Sequence, residues 1–425
     1  MPPVIEARTD TATVSDDRPR PERLWRNGEF LRLWLGQTVS SVGSGIVKLA
    51  APLLVLALTE SSAIAGLVGG ALLFPMVILG LPAGALVDRW DRRRVMIVCD
   101  VVRCLAVTSV PLAWLLGQLS AWHLLAVALA LGAAQSFFNI AQLAALPRVV
   151  ARRQIASAHA LNTTSEGVAQ LASPGLSGII IAAGPTLVAG GVIAYGLNGL
   201  TFLVSILALA GIRTPLQAAR PGSRDHTLWR SIPVGLRHVW QERPIRLLMA
   251  LNMVHRFFFA PVMLTVVVLG RQELRLDPAA IGLLFSAAGA GGLAAAALTP
   301  WLRRRVPVGW HMIGIVAVHG LALGLVAASS AVWLVAIGLF VAGMMEMMTG
   351  ITQVSYRLGL IPDALQGRVN SVYRLVSFGA MAFGTAGGGI LLDLYGPRPV
   401  MGLIAASIGA IALGATLSGV RTLRD

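Results

Sequence analysis

Nine ionisable side chains lie in stretches of sequence that are otherwise apolar, and they are the residues best placed to do chemistry. A charged group at the centre of a lipid bilayer costs at least roughly 2.5–3.5 kcal/mol, so it is kept there for ion pairing, proton transfer or binding of a polar substrate. Acids and bases are present in similar numbers, which favours pairing. The nine residues are Lys48, Asp100, Arg103, Glu166, His255, Arg256, His319, Glu346 and Arg374.

Glu346 is the first choice for coupling to protons. It lies among methionines, in the segment Gly343-Met-Met-Glu-Met-Met-Thr-Gly350. Apolar surroundings favour the neutral form of a carboxyl group, so Glu346 can hold and release a proton, and methionines adapt to varied shapes. The alternative is a structural glutamate paired with a neighbouring helix. Glu166 and Asp100 are further candidates for proton coupling, although the spacing of Asp100 and Arg103 also allows an ion pair within one helix.

The elements that hold these charges are predicted to be membrane-spanning helices. Of the 425 residues, 56% are hydrophobic and only 12% are charged, whereas soluble domains carry about 25% charged residues. This composition excludes a soluble enzyme and a disordered chain, and the absence of period-two alternation argues against a membrane barrel. We therefore predict an all-α membrane protein, since a span needs about 20 apolar residues. The twelve predicted spans are residues 30–58, 62–87, 94–117, 121–146, 157–183, 187–211, 245–270, 278–301, 308–328, 331–356, 368–392 and 399–419.

The basic residues predict the orientation of these spans. The net charge of +15 comes from arginines and from a single lysine, Lys48. With a cytoplasmic N-terminus, nearly all arginines between spans fall on the cytoplasmic side, and only Arg271, Arg275 and Arg398 face outward. This asymmetry is typical of membrane orientation rather than of nucleic-acid binding. Both termini are therefore expected in the cytoplasm, and we expect no nucleic-acid partner.

Three segments fall outside the spans. Residues 1–27 are expected to form a disordered tail, because prolines, arginines and acids are mixed there without an apolar core. Residues 421–425 are a second cytoplasmic tail, and residues 212–244 form a central cytoplasmic loop. This loop contains either an amphipathic helix on the membrane surface or a plain linker with a short helix. The apolar residues with helical spacing in the loop are Trp229, Ile232, Leu236, Val239 and Trp240.

A basic motif joins the second and third predicted spans. It consists of Gly84-Ala-Leu-Val-Asp88-Arg89-Trp90-Asp91-Arg92-Arg93-Arg94. The glycine, the Asp-Arg pair four residues later and the following basic residues resemble the signature of the major facilitator superfamily. Asp91 replaces the glycine that is usual there. The second half of the chain has a degenerate copy, with Thr299 in place of the aspartate and with Arg303, Arg304 and Arg305 retained.

Three more stretches narrow the resemblance to a bacterial efflux branch that includes macrolide exporters and enterobactin exporters. They are Asp100-Val-Val-Arg103, Ala160-Leu-Asn162-Thr-Thr-Ser-Glu166 and Gly367-Arg368-Val-Asn370-Ser-Val-Tyr-Arg374. The resemblance implies the major facilitator fold, with two pseudo-symmetric six-helix bundles, residues 28–211 and 245–420, around a central cavity. It also implies export of hydrophobic or amphiphilic small molecules, driven by proton antiport through alternating access.

The resemblance further assigns roles to charged residues. Asp88 is expected to meet the start of the eleventh span, near Arg368, in one domain arrangement only, so the signature would gate the transporter. The alternative is that the signature only fixes the topology. The gating residues are Gly84, Asp88, Arg89, Arg92 and Arg93, and the structural or gate charges are Arg103, Arg368 and Arg374, with Glu166 matching Arg374 in the other half.

The first, fourth, seventh and tenth spans line the cavity in the family that the sequence resembles. Lys48 would there repel cations, bind an anionic group or exchange a proton, unless it reaches the outer headgroups. Gln135 and Asn139 share one helix face and either bind a substrate or link helices. The candidates for substrate contact are Lys48, Gln135, Asn139, His255, Arg256 and Met345.

The sequence thus predicts a monomeric secondary transporter of the bacterial plasma membrane, without enzyme activity, cofactor or metal. Its expected partners are a small-molecule substrate, protons and the lipid bilayer. The chain lacks a phosphate-binding loop, because Val47 precedes the single lysine, Lys48, so transport driven by ATP is not expected. The alternatives are an exporter of a siderophore or another metabolite, and a membrane receptor or assembly subunit that has lost transport.

Overall fold

The described part of the chain is helical. The computed structural model describes residues 24–217, 237 and 239–417, and its regular elements are α-helices with short 3-10 and π segments. Residues 1–23 and 421–425 of the predicted tails, and residues 418–420 at the end of the second predicted bundle, lie outside the described residues. The same holds for Trp229, Ile232 and Leu236 of the predicted amphipathic helix. Of that pattern, the structure places only Val239, which is buried, and Trp240, which is exposed.

Helices of membrane-spanning length follow one another along the described chain. The helices of the first half are α1 (Gly28–Thr59), α2 (Ser62–Arg89), α3 (Arg92–Leu115), α4 (Ala121–Val149), α5 (Ile155–Ala182) and α6 (Leu187–Ala210). Those of the second half are α7 (Arg243–Phe259), α8 (Val262–Val268), α9 (Pro278–Arg303), α10 (Val308–Ala328), α11 (Val332–Leu360), α12 (Asp363–Tyr395) and α13 (Pro397–Leu417). Together α7, α8 and the π segment Leu269–Glu273 form one span.

Among the described residues, eleven segments are long and apolar enough to cross a membrane. The helix α5 has 28 residues but falls short in hydropathy because its first half is polar. His159, Thr163, Glu166 and Gln170 recur on one of its faces, and all four are exposed. Such a face within a span lines a polar cleft rather than lipid. With α5 as the twelfth span, the predicted all-α membrane architecture is confirmed.

A short 3-10 turn, Leu24–Arg26, precedes α1 within the stretch predicted as a tail. The Asn27 side chain accepts a hydrogen bond from the backbone N–H of Phe30 at 3.1 Å and donates one to the carbonyl of Val149 at 2.7 Å. Trp25 packs edge-on against Trp34 at 5.5 Å between ring centroids. An asparagine in this position satisfies an unpaired N–H group at the helix start, so these residues are ordered against the bundle.

Arginine-rich turns gather at one end of the bundle, which we call the basic face. Because consecutive spans alternate in direction, the turns that follow α2, α4 and α9 all reach this end. The residues that define it are Arg92, Arg93, Arg94, Arg152, Arg153, Arg303, Arg304 and Arg305. The turns that follow α1, α3 and α10 lie at the other end.

The two halves of the chain meet through two helix pairs, α2 with α12 and α5 with α9. Both pairs pack closely at the end away from the basic face, in what we call the closed layer. A Cβ atom at Gly389 would lie 2.4 Å from the backbone oxygen of Ser62, and one at Gly282 would lie 2.4 Å from that of Pro174. Glycine is the residue that permits such close approach between helices.

Toward the basic face the same helices leave open space. On α2, Gly66 touches Gly389 of α12, whereas a Cβ atom at Gly80 or Gly84 would meet nothing within 4 Å. Glu166 on the corresponding part of α5 is exposed. This pattern indicates a cleft between the halves that is shut at the closed layer and opens at the basic face.

We expect Gly389→Ala to loosen the closed layer and Gly387→Ala, on the same helix, to leave it intact. The added methyl at 389 would collide with backbone atoms of Ser62 and Gly66, whereas the site at 387 has no neighbour within 4 Å. Spin labels at Trp122 and Trp333, which are exposed at the starts of α4 and α11, would measure the separation. The label distance should lengthen in Gly389→Ala only, and equal distances in both variants would contradict the packing argument.

Candidate functional site

An ion pair lies halfway along the second half of the bundle. Glu346 on α11 accepts a hydrogen bond from Arg256 on α7, with Nη1 2.5 Å from Oε1. The two side chains are 21% and 26% exposed, so the pair is accessible although it lies deep within the span. Arg256 and Glu346 are far apart along the chain. They meet because α7 and α11 each turn the face that carries the residue toward the interior of the bundle. This arrangement puts Arg256 beside the residue predicted to couple protons.

Two buried histidines lie behind the ion pair. His255 on α7 places Nε2 3.4 Å from Nδ1 of His319 on α10 and 3.9 Å from Oε2 of Glu346. The ring of Phe259 stacks on His255, with centroids 5.7 Å apart, and meets His319 edge-on at 5.0 Å. His255 is therefore part of a buried cluster rather than of an open cavity wall.

A second polar group continues the same interior surface toward the basic face. Tyr373 on α12 donates a hydrogen bond to Oε1 of Gln353 on α11 at 2.7 Å, and the Arg357 guanidinium lies 3.7 Å from the Tyr373 ring centroid. Asn252 on α7 donates to Ser377 on α12 at 2.7 Å. These residues were not predicted from the sequence. Helical spacing is the signal that could have found them, since Gln353 lies seven residues after Glu346 and so shares its face.

The first half of the chain presents a polar stripe on α1. The residues Gln37, Ser41, Ser44 and Lys48 recur with the helical spacing that places them on one face. Lys48 is exposed and has no ion pair among the described residues. A polar face in a span is stable where it lines a cleft rather than lipid. The structure thus places Lys48 as an accessible side chain in the half of α1 away from the basic face.

A buried network links α3, α4 and α6. The predicted pair is formed, with Arg103 Nη2 2.8 Å from Asp100 Oδ1, and the two side chains are 3% and 0% exposed. Ser205 donates a hydrogen bond to Asp100 at 2.7 Å, and Arg103 donates to Gln135 at 2.9 Å. Gln135 donates in turn to Asn139 at 2.5 Å. Gln135 therefore links α4 to α3, Asn139 is bonded to Gln135 within α4, and Asp100 is enclosed in structural contacts.

The residues of the signature motif bind the ends of neighbouring helices. Arg92 donates a hydrogen bond to the carbonyl of Ala144 at 2.9 Å, and Arg93 donates to the carbonyls of Leu209, at 3.0 Å, and of Ala210. Positive charge is favourable at a helix C-terminus, where carbonyl groups are unpaired. These contacts fix the turn after α2 to α4 and α6 within the first half.

The predicted gating carboxylate is exposed at the basic face. Asp88 is 74% exposed, and it forms an ion pair at 3.7 Å with Arg92, across the turn between α2 and α3. Arg89 is exposed, and a Cβ atom at Gly84 would meet open space. The side chain of Arg368 lies outside the described residues. The gating role of the motif stays a prediction, and the exposed carboxylate fits a contact made only in another domain arrangement.

The remaining predicted residues fall in different surroundings. Met345 is 6% exposed, in a small core with Ala295 and Met348, so the structure does not place it on the cavity wall as predicted. Its neighbour Glu346 faces the interior pair because consecutive residues of a helix point about 100° apart. Glu166 and Arg374 are both exposed, and Arg374 lies 6.0 Å from the ring centroid of Phe378.

A contact that the sequence analysis missed joins the two halves across the closed layer. The Asp393 carboxylate, at the end of α12, accepts hydrogen bonds from the Ser61 hydroxyl at 2.7 Å and from the N–H groups of Ser62 and Ala63 at 2.6 and 3.0 Å. These groups begin α2. An acidic side chain is unfavourable at the C-terminus of its own helix and favourable at the N-terminus of another. That mismatch in the last turn of α12 is the sequence signal that could have found the contact.

We expect Asp393→Ala to weaken the closed layer by roughly 1–2 kcal/mol, because losing a helix cap costs about that much. The population open at this end should rise about five- to thirtyfold. Asp277→Ala is the matched control, since Asp277 accepts from Ala280 N–H at 2.7 Å and so caps its own helix, α9. The spin labels at positions 122 and 333 would report the change. A shift as large in Asp277→Ala would show that the effect is general helix destabilisation.

Comparison with known proteins identifies relatives of this fold. A family model described as transmembrane secretion effector matches residues 24–424. The chain is 28% identical over 416 residues to the multidrug efflux pump Tap of Mycolicibacterium fortuitum. The aligned region covers 94% of this chain and 97% of that protein. The chain is 25% identical over 405 residues to the enterobactin exporter EntS of Shigella boydii, which covers 91% and 90%. It is 23% identical over 237 residues to macrolide efflux protein A of Streptococcus pyogenes, which covers 55% and 56%.

Solved structures of transporters share the fold. The nucleoside transporter NupG superposes with a TM-score of 0.73 at 11% identity. The superposed region covers 92% of this chain and 98% of the NupG chain. A bacterial homologue of the iron transporter ferroportin in its inward-facing state gives 0.72 at 17% identity, covering 93% and 100%. An outward-facing structure of such a homologue gives 0.57 at 17% identity, covering 92% and 99%.

The family match spans nearly the whole chain, and the named relatives are efflux proteins and exporters rather than enzymes. The helices, the signature motif and the closed layer between two halves agree with that match. The resemblance predicted from the signature is thereby confirmed: this multi-pass membrane protein belongs to the transmembrane secretion effector family of the major facilitator superfamily.

Proposed function

We propose that this protein exports amphiphilic small molecules across the bacterial plasma membrane in exchange for protons. The observation that carries the proposal is the pair of Glu346 and Arg256, 2.5 Å apart and partly exposed halfway through the membrane. The Glu346 carboxylate in this position can bind either the guanidinium of Arg256 or a proton, and protonation weakens its ion pair with Arg256. The pair therefore offers a site where proton uptake is linked to a contact between α7 and α11.

The orientation follows from the arginines. An excess of arginine marks the cytoplasmic side of a membrane, so we assign the basic face, and with it both termini, to the cytoplasm. The cleft then opens inward in the described arrangement. We infer a cycle in which Glu346 has released its proton to the cytoplasm and holds Arg256, ready for a substrate to enter. The protein acts as a monomer, because each chain contains both halves of the cleft.

Alternating access completes the cycle. The bundles of residues 28–211 and 245–420 rock about the central cleft, the closed layer parts as Asp393 leaves the start of α2, and the substrate leaves outward. A proton from outside then binds Glu346, and the bundles return. In the outward-open arrangement the basic face shuts, and Asp88 becomes able to contact the start of α12. We assign Asp88 and Arg89 to this gate, while Arg92 and Arg93 hold the turn in place.

The chemistry of the cleft indicates the class of substrate. Met347 follows Glu346 on α11 and is 42% exposed. Methionine side chains adapt to apolar surfaces of varied shape, while the ion pair receives a polar group. This combination supports amphiphilic drug-like molecules, in line with the names of the multidrug and macrolide efflux relatives.

A second candidate function is the export of an acidic metabolite, such as a siderophore. Lys48 favours it, because it is an exposed cation without an ion pair among the described residues and continues the polar stripe of α1. A cation on the wall of the cleft attracts an anionic group and repels a cationic one. The similarity to the enterobactin exporter over most of the chain supports this candidate.

The deciding experiment is accumulation of candidate substrates by energised inverted membrane vesicles. Macrolides, dyes and siderophores are offered in turn, with and without a protonophore. Accumulation that the protonophore abolishes is the expected result. Accumulation of siderophores alone would favour the second candidate, and accumulation that resists the protonophore would overturn proton coupling. If no compound accumulates with folded, correctly oriented protein, the proposal of drug export fails.

A further inference from the structure

We infer that His255, His319 and Glu346 form a binding site for a divalent transition metal ion of the zinc type. One ligand atom from each residue lies within 4.8 Å of the other two. His255 Nε2 is 3.4 Å from His319 Nδ1 and 3.9 Å from Glu346 Oε2. Metal–ligand bonds of about 2.0–2.2 Å in a tetrahedral zinc site put neighbouring ligand atoms roughly 3.3–3.6 Å apart. A small movement of the carboxylate therefore completes a three-ligand site.

The contacts already made leave the ligand atoms available. Glu346 accepts from Arg256 through Oε1, while its Oε2 is buried without a hydrogen-bond partner. The two histidines are 2% and 0% exposed, and their 3.4 Å contact is longer than a normal hydrogen bond. A metal ion between these atoms would satisfy all three at once, which the side chains do not achieve among themselves.

The donor set selects the class of metal. Two imidazoles with one carboxylate suit zinc, cobalt and nickel, whereas calcium and magnesium prefer sites made of oxygen ligands. Phe259 packs against both rings and holds them in place. Glu346 is 21% exposed although its Oε2 is buried, and a water molecule would supply the fourth ligand of a tetrahedral ion.

Arg256 limits the strength of the site. Its positive charge, 2.5 Å from the other oxygen of Glu346, opposes a second cation at the carboxylate. The outer ring nitrogens, His255 Nδ1 and His319 Nε2, are buried without hydrogen-bond partners. Such outer contacts normally strengthen a metal site. We therefore expect a reversibly occupied site rather than a permanent structural one.

Cobalt binding to the purified full chain tests the inference independently of transport. The protein is prepared in detergent without a polyhistidine tag and titrated with Co²⁺. The expected result is one ion per chain, with the intense visible absorption of tetrahedral cobalt, which Zn²⁺ displaces. His319→Gln should weaken binding by at least about tenfold, the scale that loss of supporting contacts alone produces. The weak absorption of octahedral cobalt in the wild type would overturn the inference.

Two variants keep the test informative. His123→Gln is the control, because His123 lies at the start of α4 and contacts Ser109 at 2.9 Å, far along the chain from the cluster. It should bind cobalt like the wild type. His319→Cys retains a ligand and should add a thiolate-to-cobalt charge-transfer band even if His319→Gln fails to fold. Unchanged binding in His319→Gln, or no charge-transfer band in a folded His319→Cys protein, would overturn the assignment.

Discussion

Glu346→Gln is expected to abolish proton-driven accumulation and to leave exchange of substrate in place. The amide keeps the shape of the side chain and can still accept the hydrogen bond from Arg256, but it does not take up a proton. One proton moving down a gradient of about 100 mV supplies about 2.3 kcal/mol, enough for roughly a fiftyfold concentration ratio. In inverted vesicles the variant should lose this roughly fiftyfold accumulation of substrate. Exchange of substrate at equal concentrations on the two sides of the membrane should continue near the wild-type rate.

Glu273→Gln is the matched control for this prediction. Glu273 also pairs with an arginine, Arg398, and is 31% exposed against 21% for Glu346. It lies after α8, at the end of the bundle away from the basic face, so its loss should not affect coupling. Full accumulation by Glu346→Gln would exclude Glu346 as the coupling residue. Loss of exchange as well as accumulation in a poorly folded protein would make its role structural.

Arg103→Met is expected to destabilise the protein by about 3–5 kcal/mol, because it leaves a buried carboxylate without its partner. Asp100 is 0% exposed and would keep only its hydrogen bond from Ser205. Methionine approximates the volume of arginine, so the loss reports charge rather than a cavity. Unfolding of the purified protein by heat or by a denaturing detergent would measure the change.

A second substitution separates charge from packing at this site. The double variant Asp100→Leu with Arg103→Met removes both charges and should recover most of the stability, since a buried ion pair can often be replaced by apolar side chains. Arg32→Met is the surface control, because Arg32 is 49% exposed in its pair with Glu29 and should change stability by about 1 kcal/mol or less. If Arg103→Met stays stable but loses transport, the network is part of the transport machinery.

Local spacing explains which site features the sequence could predict. The pair of Asp100 and Arg103, and the shared face of Gln135 and Asn139, follow from helical geometry within one span, and both are present. The contact of Arg256 with Glu346 does not follow in this way. It joins helices that are far apart along the chain, and its formation depends on how each helix is rotated about its axis.

The rotation of each helix about its own axis also explains where the predictions differ from the structure. Met345 and Glu346 are neighbours, yet one is in the core and the other faces the cleft. His255 is buried beside His319, while Arg256 is accessible. The hydropathy of a span cannot distinguish these cases, because α11 is apolar on several faces and offers no single stripe that marks its inner side.

The sequence by itself determined the membrane-spanning helices, the signature turn and the asymmetry of its arginines. These features depend on composition and on short spacings, since a helix in lipid satisfies its own backbone groups and needs only enough apolar residues to span. Only the tertiary structure decided that Asp393 caps the start of α2, that Arg256 meets Glu346, and that two histidines converge behind them. These contacts join residues from different helices, and close packing between helices, made possible by glycines such as Gly389 and Gly282, sets which side chains meet.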